Sequence, residues 1–404
     1  MLIIKPSLKI IKCLTVAYLL VILTGCYNSK KTVSSSLNRN NTEQRLIRNL
    51  TAGENHRYEI QVNADEFLHI KIKQHGIDVI AKVTTGDSLF AEQFDSPTGE
   101  LNEEDIYLLR RENKKYQIEI YTAQKYADPG NYSINIMRLT KASEYDKKWM
   151  AALNATQKAD KMRTKLETRQ QSIQQYQSAM EAWMHLKDTL QYACAMRSMG
   201  FVQIRLRNYD NAVETFTQLL PIWKQLNHAR AEGFTLLIIG RVYDLQKKYK
   251  KSLEYNLNSL PYWIETKDTD QESFTLMNIG NLHSYLGDKQ KTDESFAQAF
   301  KKNEQSERPS IKAVILRDYA NSLMRLGDDE KAIQLYEQSI KQWQATVNKP
   351  EEARTTVILG DYYSKKGNQK EAVRNYQHAL TIWQKMDDQT EIKMIQEALG
   401  KLEK

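Results

Sequence analysis

Five of the six tryptophans, Trp183, Trp223, Trp263, Trp343 and Trp383, keep a 40-residue beat, and Asn303 fills the one missing mark. Gly200, Gly240, Gly280, Gly360 and Gly400 keep the same interval, with Ala320 in the remaining slot. Larger side chains recur at Tyr176, Phe216, Asn256, Phe296, Tyr336 and Tyr376, and small ones at Ser172, Ala212, Ser252, Thr292, Ala332 and Ala372. Such self-similarity marks a repeat array, in which each unit buries its apolar face only against its neighbours.

Within a period the apolar spacing is helical. Leu236, Ile239 and Tyr243 lie three to four apart, as do Leu253, Asn256, Leu260 and Trp263. Polar breaks such as Lys247-Lys248-Tyr249-Lys250, Leu286-Gly287-Asp288 and Lys366-Gly367-Asn368 separate the runs. Each unit therefore reads as helix, tight turn, helix. The glycine mark lets the first helix approach its partner, and the tryptophan fills the seam before the next unit. The seam after 271–310 is expected to be the weakest, since Asn303 replaces a tryptophan and a buried Trp is worth about 3–5 kcal/mol.

The spacing in Ala332–Tyr336–Ser339 and Ala372–Tyr376–Ala379 resembles the tetratricopeptide repeat, whose usual period is about 34 residues. The resemblance covers roughly 140–404. It implies an α-helical solenoid, here with a longer second helix and a charged cap over 391–404 (Ile392, Ile395, Leu399).

Ahead of the array the chain changes character twice. Lys5, Lys9 and Lys12 precede an apolar run from Cys13 to Leu23, which is shorter than the roughly 18 residues of a spanning helix. Leu23-Thr24-Gly25-Cys26 then resembles a bacterial lipobox, which implies export, lipidation of Cys26 and a place in the cell envelope, on the outer membrane. Residues 26–43 are Ser-, Asn- and Lys-rich, as befits a flexible tether. Removing the three leader lysines from the net charge of +8 leaves +5, too mild to imply nucleic acid. Of the cysteines Cys13, Cys26 and Cys194, only Cys194 falls in the folded part, so no disulfide is expected.

Over 44–139 the apolar period becomes two: Tyr58, Ile60, Val62; Leu68, Ile70, Ile72; Tyr116, Ile118, Ile120; Tyr132, Ile134, Ile136. Strands are expected near 46–50, 56–63, 66–74, 77–84, 88–94, 104–110, 115–123 and 131–138, which reads as an antiparallel β-sandwich. Gln74-x-Gly76-Ile77-Asp78-Val79, Asp95-Ser96-Pro97-x-Gly99 and Gly130-x-Tyr132-x-Ile134 make this block similar to pre-peptidase C-terminal domains. Such domains precede tetratricopeptide repeats in proteins ending in a CHAT peptidase. Here the repeats run to Lys404, so that activity is not carried over. The whole is an α+β multidomain chain: leader 1–25, tether 26–43, antiparallel β-sandwich 44–139 and tetratricopeptide-repeat solenoid 140–404.

No phosphate loop, HExxH or Cys-x-x-Cys occurs, and the seven histidines are not spaced as metal ligands. The chain reads as a non-enzyme with no cofactor or metal. Three functions compete: a lipid-anchored scaffold holding a protein or peptide, the sensor partner of a separate CHAT-type peptidase, and a carbohydrate- or envelope-binding sandwich. In the repeat pattern, positions two, five, nine, twelve and thirteen of the first helix face the concave side. They include Arg197, Arg205, Arg241, Asn281, Arg317, Asn321 and Arg325, with acid only at Asp244 and Asp361. This implies a basic groove for an acidic peptide or a free carboxylate. Membrane attachment is separately testable: Cys26→Ser should move the protein from the membrane to the soluble fraction of cells, and unchanged partitioning would refute lipidation there.

Overall fold

The computed structural model of the chain describes residues 31–36, 43–63, 66–75, 77–85, 91–94, 103–109, 113–122, 129–139, 143–304 and 308–402. Cys26 lies outside them. The chain divides into two compact units, Met1–Ser143 and Glu144–Lys404.

The first unit holds β1 (Lys31–Ser36), β2 (Glu43–Leu50), β3 (Glu54–Val62), β4 (Phe67–His75), β5 (Val79–Thr85), β6 (Ala91–Phe94), β7 (Glu103–Leu109), β8 (Lys114–Thr122) and β9 (Gly130–Leu139). They form one sheet in the order β1-β3-β8-β5-β6 and another in the order β2-β9-β4-β7. The alternating residues of both sheets meet in a single apolar cluster that includes Tyr58, Ile60, Val62, Leu68, Ile70, Ile72, Ile118 and Ile134. Inside it the Tyr132 hydroxyl lies 2.6 Å from both His56 Nδ1 and the Tyr58 hydroxyl, tying β9 to β3.

One feature departs from the sequence expectation. β1 falls in the stretch read as a tether, and it pairs with β3 in parallel, whereas every other pairing is antiparallel. Lys-Thr-Val-Ser-Ser-Ser carries no apolar alternation, so side-chain period could not reveal this strand.

The second unit is thirteen described helices. These are α1 (Glu144–Thr164), α2 (Arg169–His185), α3 (Thr189–Arg205), α4 (Tyr209–Gln225), α5 (Ala229–Leu245), α6 (Tyr249–Glu265) and α7 (Thr269–Tyr285). Then follow α8 (Lys289–Asn303), α9 (Pro309–Leu326), α10 (Asp329–Gln344), α11 (Lys349–Lys365), α12 (Gln369–Met386) and α13 (Gln389–Leu402). Most are 17 residues long and most connections take three, so the 40-residue period is two equal strides of 20.

Nine of the twelve connections share one geometry. A residue one or two places past the helix is left-handed at Lys187, Arg207, Asn227, Lys247, Lys267, Gly287, Gly327, Gly367 and Asp387. The next amide bonds back to a carbonyl five residues earlier, as from Asp188 to Trp183, Asp268 to Trp263 and Asn368 to Tyr363. That same residue then opens the following helix: Asp188, Asp268, Asp288 and Asn368 each accept from an amide in the first turn, as Asn348 does at a connection without the left-handed residue. Stop and start signals are thus fused.

The five periodic tryptophans are fully buried. Trp223 shows how one is used: Arg197 of α3 lies over its ring, and His228, the N-cap of α5, packs against it. The sixth, Trp149 of α1, meets Trp183 edge-on at 4.8 Å and donates to Asp188 at 2.9 Å. α13 closes the array with Ile395 buried and Ile392 and Leu399 packed beside it.

At the Asn303 seam α8 and α9 touch less extensively than any other two successive helices. One apolar cluster runs through it, from Leu276 and Met277 of α7 through Phe296 and Ile311 to Trp343 and Leu359. Tyr319 stacks on Phe296 at 4.5 Å and Arg308 pairs with Asp270 across it, while Lys302–Glu272 joins α8 to α7 within the preceding unit. α9 also packs directly on α7.

The glycine mark is set by crowding. A Cβ at Gly200 would lie 2.7 Å from the Phe216 ring, and one at Gly280 2.8 Å from Phe296, whereas one at Gly400 would meet nothing within 4 Å. Gly200→Ala and Gly280→Ala should therefore each destabilise by about 1–3 kcal/mol through overpacking. Gly400→Ala, at the same mark, should gain up to about 1 kcal/mol from helix propensity. Denaturant melts of the three variants check the opposite signs.

Candidate functional site

The first helices of successive units carry the residues that the sequence assigned to a groove, and the structure uses most of them internally. Arg197 is only 2% exposed, with its guanidinium 5.5 Å from the Trp223 centroid and Nη2 3.8 Å from Cys194 Sγ. It is closed to a ligand in this conformation. Arg205 is half-buried at the far end of α3 and faces Arg163 and Arg169. Arg241 pairs with Asp244 at 2.8 Å.

The other four meet on α7 and α9. Asn281 accepts from the Ser322 hydroxyl at 2.6 Å, and Asn321 accepts from the Tyr336 hydroxyl while donating to Asp318 at 3.3 Å. Arg317 pairs with Glu351 of α11, which Arg354 also holds at 2.6 Å. Arg325 bonds Ser284 and lies 3.6 Å above the Tyr285 ring. Position numbering gives the face of a helix but not what fills the space before it. Here α7, α9 and α11 stand close enough for these side chains to reach the neighbouring helix. Arg317, Asn321 and Arg325 thus tie three units together, and removing all three is an experiment on stability before it is one on binding.

The charges in this network are balanced. Burial alone would raise the Glu351 carboxyl, but Arg317 and Arg354 outweigh it and hold its pKa below the usual value. Burial also raises Asp318, with Arg317 acting against the rise. Asp244 is raised by burial while Arg241 and Arg325 oppose it, so both arginines face that carboxylate.

Beyond the network lies a surface that the sequence reading passed over as a turn. Tyr249 and Tyr285 stack face to face, centroids 4.5 Å apart and planes 9° from parallel, with Arg325 on the outer face of Tyr285. Beside them Lys247, Lys248, Tyr249, Lys250, Lys251 and Leu286 line a shallow depression. Tyr285 is 40% and Leu286 38% exposed. Lys248 and Lys251 reach over the Tyr243 ring at 5.9 and 5.2 Å, and none of the four lysines pairs with a carboxylate among the described residues.

This turn shares with those before α2 and α9 the absence of both a side-chain cap and a first-turn acid. Where most connections place Asp or Asn at the N-cap, α6 has Lys248, which makes no side-chain cap, and no acid stands in its first turn. A missing cap forgoes about 1 kcal/mol, and each cation at a helix N-terminus opposes the dipole by a further ~0.3–1 kcal/mol. The signal was legible: it is the one turn in the array that reads Lys-Lys-Tyr-Lys-Lys.

Among the described residues no cluster of three or more His, Cys, Asp or Glu could hold a metal ion. No helix among them is long and apolar enough to cross a membrane.

Residues 312–385 match the tetratricopeptide repeat family. The helices there, α9 to α12, are repeats of that kind. No curated protein sequence matches the chain. Among solved structures, BtubC (BKLC) from P. vanneervenii is 11% identical with a TM-score of 0.43, covering 61% of this chain and 94% of that one. The apo form of RapI is 16% identical with a TM-score of 0.44, over 61% and 86%. Aeromonas hydrophila PliG, a periplasmic inhibitor of g-type lysozyme, is 12% identical with a TM-score of 0.23, over 27% and 98%. At these identities and scores the likenesses carry no functional argument.

The Glu351 pairs give a pH test. Because the folded pKa is lowered, their contribution is fully present above the unfolded value of about 4.3 and is lost as pH falls through the lower folded value. Glu351→Gln should cost about 2 kcal/mol near neutral pH, the scale of a hydrogen bond to a charged group. It should also flatten the fall of the melting temperature below pH 4.5, measured on variant and wild type side by side.

Proposed function

We propose that the protein is a non-enzymatic scaffold whose helical array holds an acidic polypeptide partner, anchored to the bacterial envelope through lipid on Cys26. The observation that carries the reading is the lysine group around the Tyr249–Tyr285 stack, which has neither a side-chain cap nor a first-turn acid and no carboxylate partner among the described residues. Carboxylates of a partner would supply there what Asp and Asn supply at the other turns. The exposed Leu286 side chain in the depression offers a floor for one apolar side chain.

This reading moves the contact from the middle of the first-helix face to its α5–α6 edge, because Arg317, Asn281 and Asn321 already have partners. The two sheets of the first unit, sharing one apolar core, suit the layers of a β-sandwich of the pre-peptidase kind.

The test is an array of acidic decapeptides, each with one aromatic or aliphatic residue, probed with wild type and with a Lys248→Glu, Lys250→Glu, Lys251→Glu variant. New acids at a helix N-terminus favour its dipole, so the variant should fold. Binding should weaken at least ten-fold in the variant and fall steeply with salt in the wild type. Equal binding by both proteins would refute the assignment.

A further inference from the structure

The buried arginine of α3 is the odd member of its repeat position. In the next four units that position holds Leu237, Met277 and Val357, all apolar, and Arg317, which pairs with Glu351. Arg197 is 2% exposed and pairs with no carboxylate among the described residues. Its guanidinium lies over Trp223, and its Nε is buried without a hydrogen-bond partner. Its Nη2 points to Cys194 Sγ at 3.8 Å, one turn back on the same helix. Burial works against the charged guanidinium, and Cys194 is the group that works for it.

Cys194 stands apart in the same way. The following units put Phe234, Phe274, Val314 and Arg354 at its position, none of which can become an anion. Cys194 itself is only partly buried. Partial burial alone favours the neutral thiol. A neighbouring guanidinium with no carboxylate favours the thiolate, and the pairing gives a buried cation its counter-charge. A cysteine beside an arginine has its pKa drawn down from about 8.5, which makes its sulfur nucleophilic near neutral pH.

We propose that Cys194 is a modification site, a thiolate held by Arg197 and oxidised by hydroperoxides to a sulfenic acid. The sulfur attacks the terminal oxygen of the hydroperoxide, which carries its own proton across. An S–O bond forms as the O–O bond breaks, and the leaving alkoxide, or hydroxide from hydrogen peroxide, takes a proton from water. Cys194 loses two electrons and the hydroperoxide gains them. Arg197 is a positioning residue, whose charge keeps the sulfur anionic before the step. The product is one that thiols reverse. The pair lies on α3, apart from the lysines of α6, so its failure leaves that assignment standing.

The test treats the full chain with hydrogen peroxide at pH 7 in the presence of dimedone, which traps sulfenic acid. Mass spectrometry of the Cys194 peptide separates it from Cys13 and Cys26. Label should appear at least ten-fold faster in the folded chain than in the same chain in guanidinium chloride. Arg197→Leu installs the residue of the next unit and removes a buried charge, so this variant should fold. Its labelling should fall at least ten-fold, and Arg197→Lys, which keeps the charge, should restore most of the rate. Iodoacetamide alkylation of the wild type from pH 5 to 9 reads the thiolate directly and decides the matter even if a variant misfolds. Its midpoint should lie below the ordinary value of about 8.5. A midpoint at or above that value overturns the site, as does labelling no faster than in denaturant. A folded Arg197→Leu as reactive as wild type, or alkylation without peroxide labelling, does so too.

Discussion

The helical unit depends on the close approach of two helices at a residue without a side chain. Gly200 faces Phe216, Gly280 faces Phe296 and Gly360 faces Tyr376, each with room for a hydrogen and none for a methyl group. At that separation the small residues Ala212, Thr292 and Ala372 are buried and the aromatic rings are sealed. Gly240 shows that the contact outlasts its usual chemistry: Asn256 stands in for the ring, and its amide turns back to the Ser252 carbonyl at 2.8 Å. Where Ala320 carries a methyl, the ring of Tyr336 is still buried and its hydroxyl reaches Asn321. Spacing between helices is fixed at this mark, and the tryptophan seams follow from it.

Much of this was legible because each repeat states it again. The period, the helix pairs, the buried tryptophans and the alternating strands follow from spacing alone. β1 was not legible, since its pairing with β3 is written in backbone groups and not in side-chain pattern. How the Asn303 seam is filled was hidden for another reason. A missing tryptophan is visible in the chain, but the stacking of Tyr319 on Phe296 depends on how α9 meets α7.

The candidate site divides along the same line. Residue type and helical position put Arg317, Asn321 and Arg325 four apart on α9, yet could not say that Glu351, Tyr336 and Ser284 would reach them first. Arg197 shares its repeat position with Arg317 but is buried against Trp223, because the tryptophan seam lies beside it. Polar side chains on this face serve cohesion between units. The lysines at the start of α6 are different, with no carboxylate partner among the described residues.

The fused turn gives the array a modular grammar. Since one left-handed residue both ends a helix and sets the next N-cap, the smallest segment that restores its own boundaries is a helix plus its turn, 20 residues. Duplication or loss in that step, or in pairs of it, returns every apolar stripe to a matching neighbour. A change of one residue within a helix would rotate everything after it by about 100° relative to the core. Growth of such a chain is therefore quantised, and lengths between the steps are closed to it.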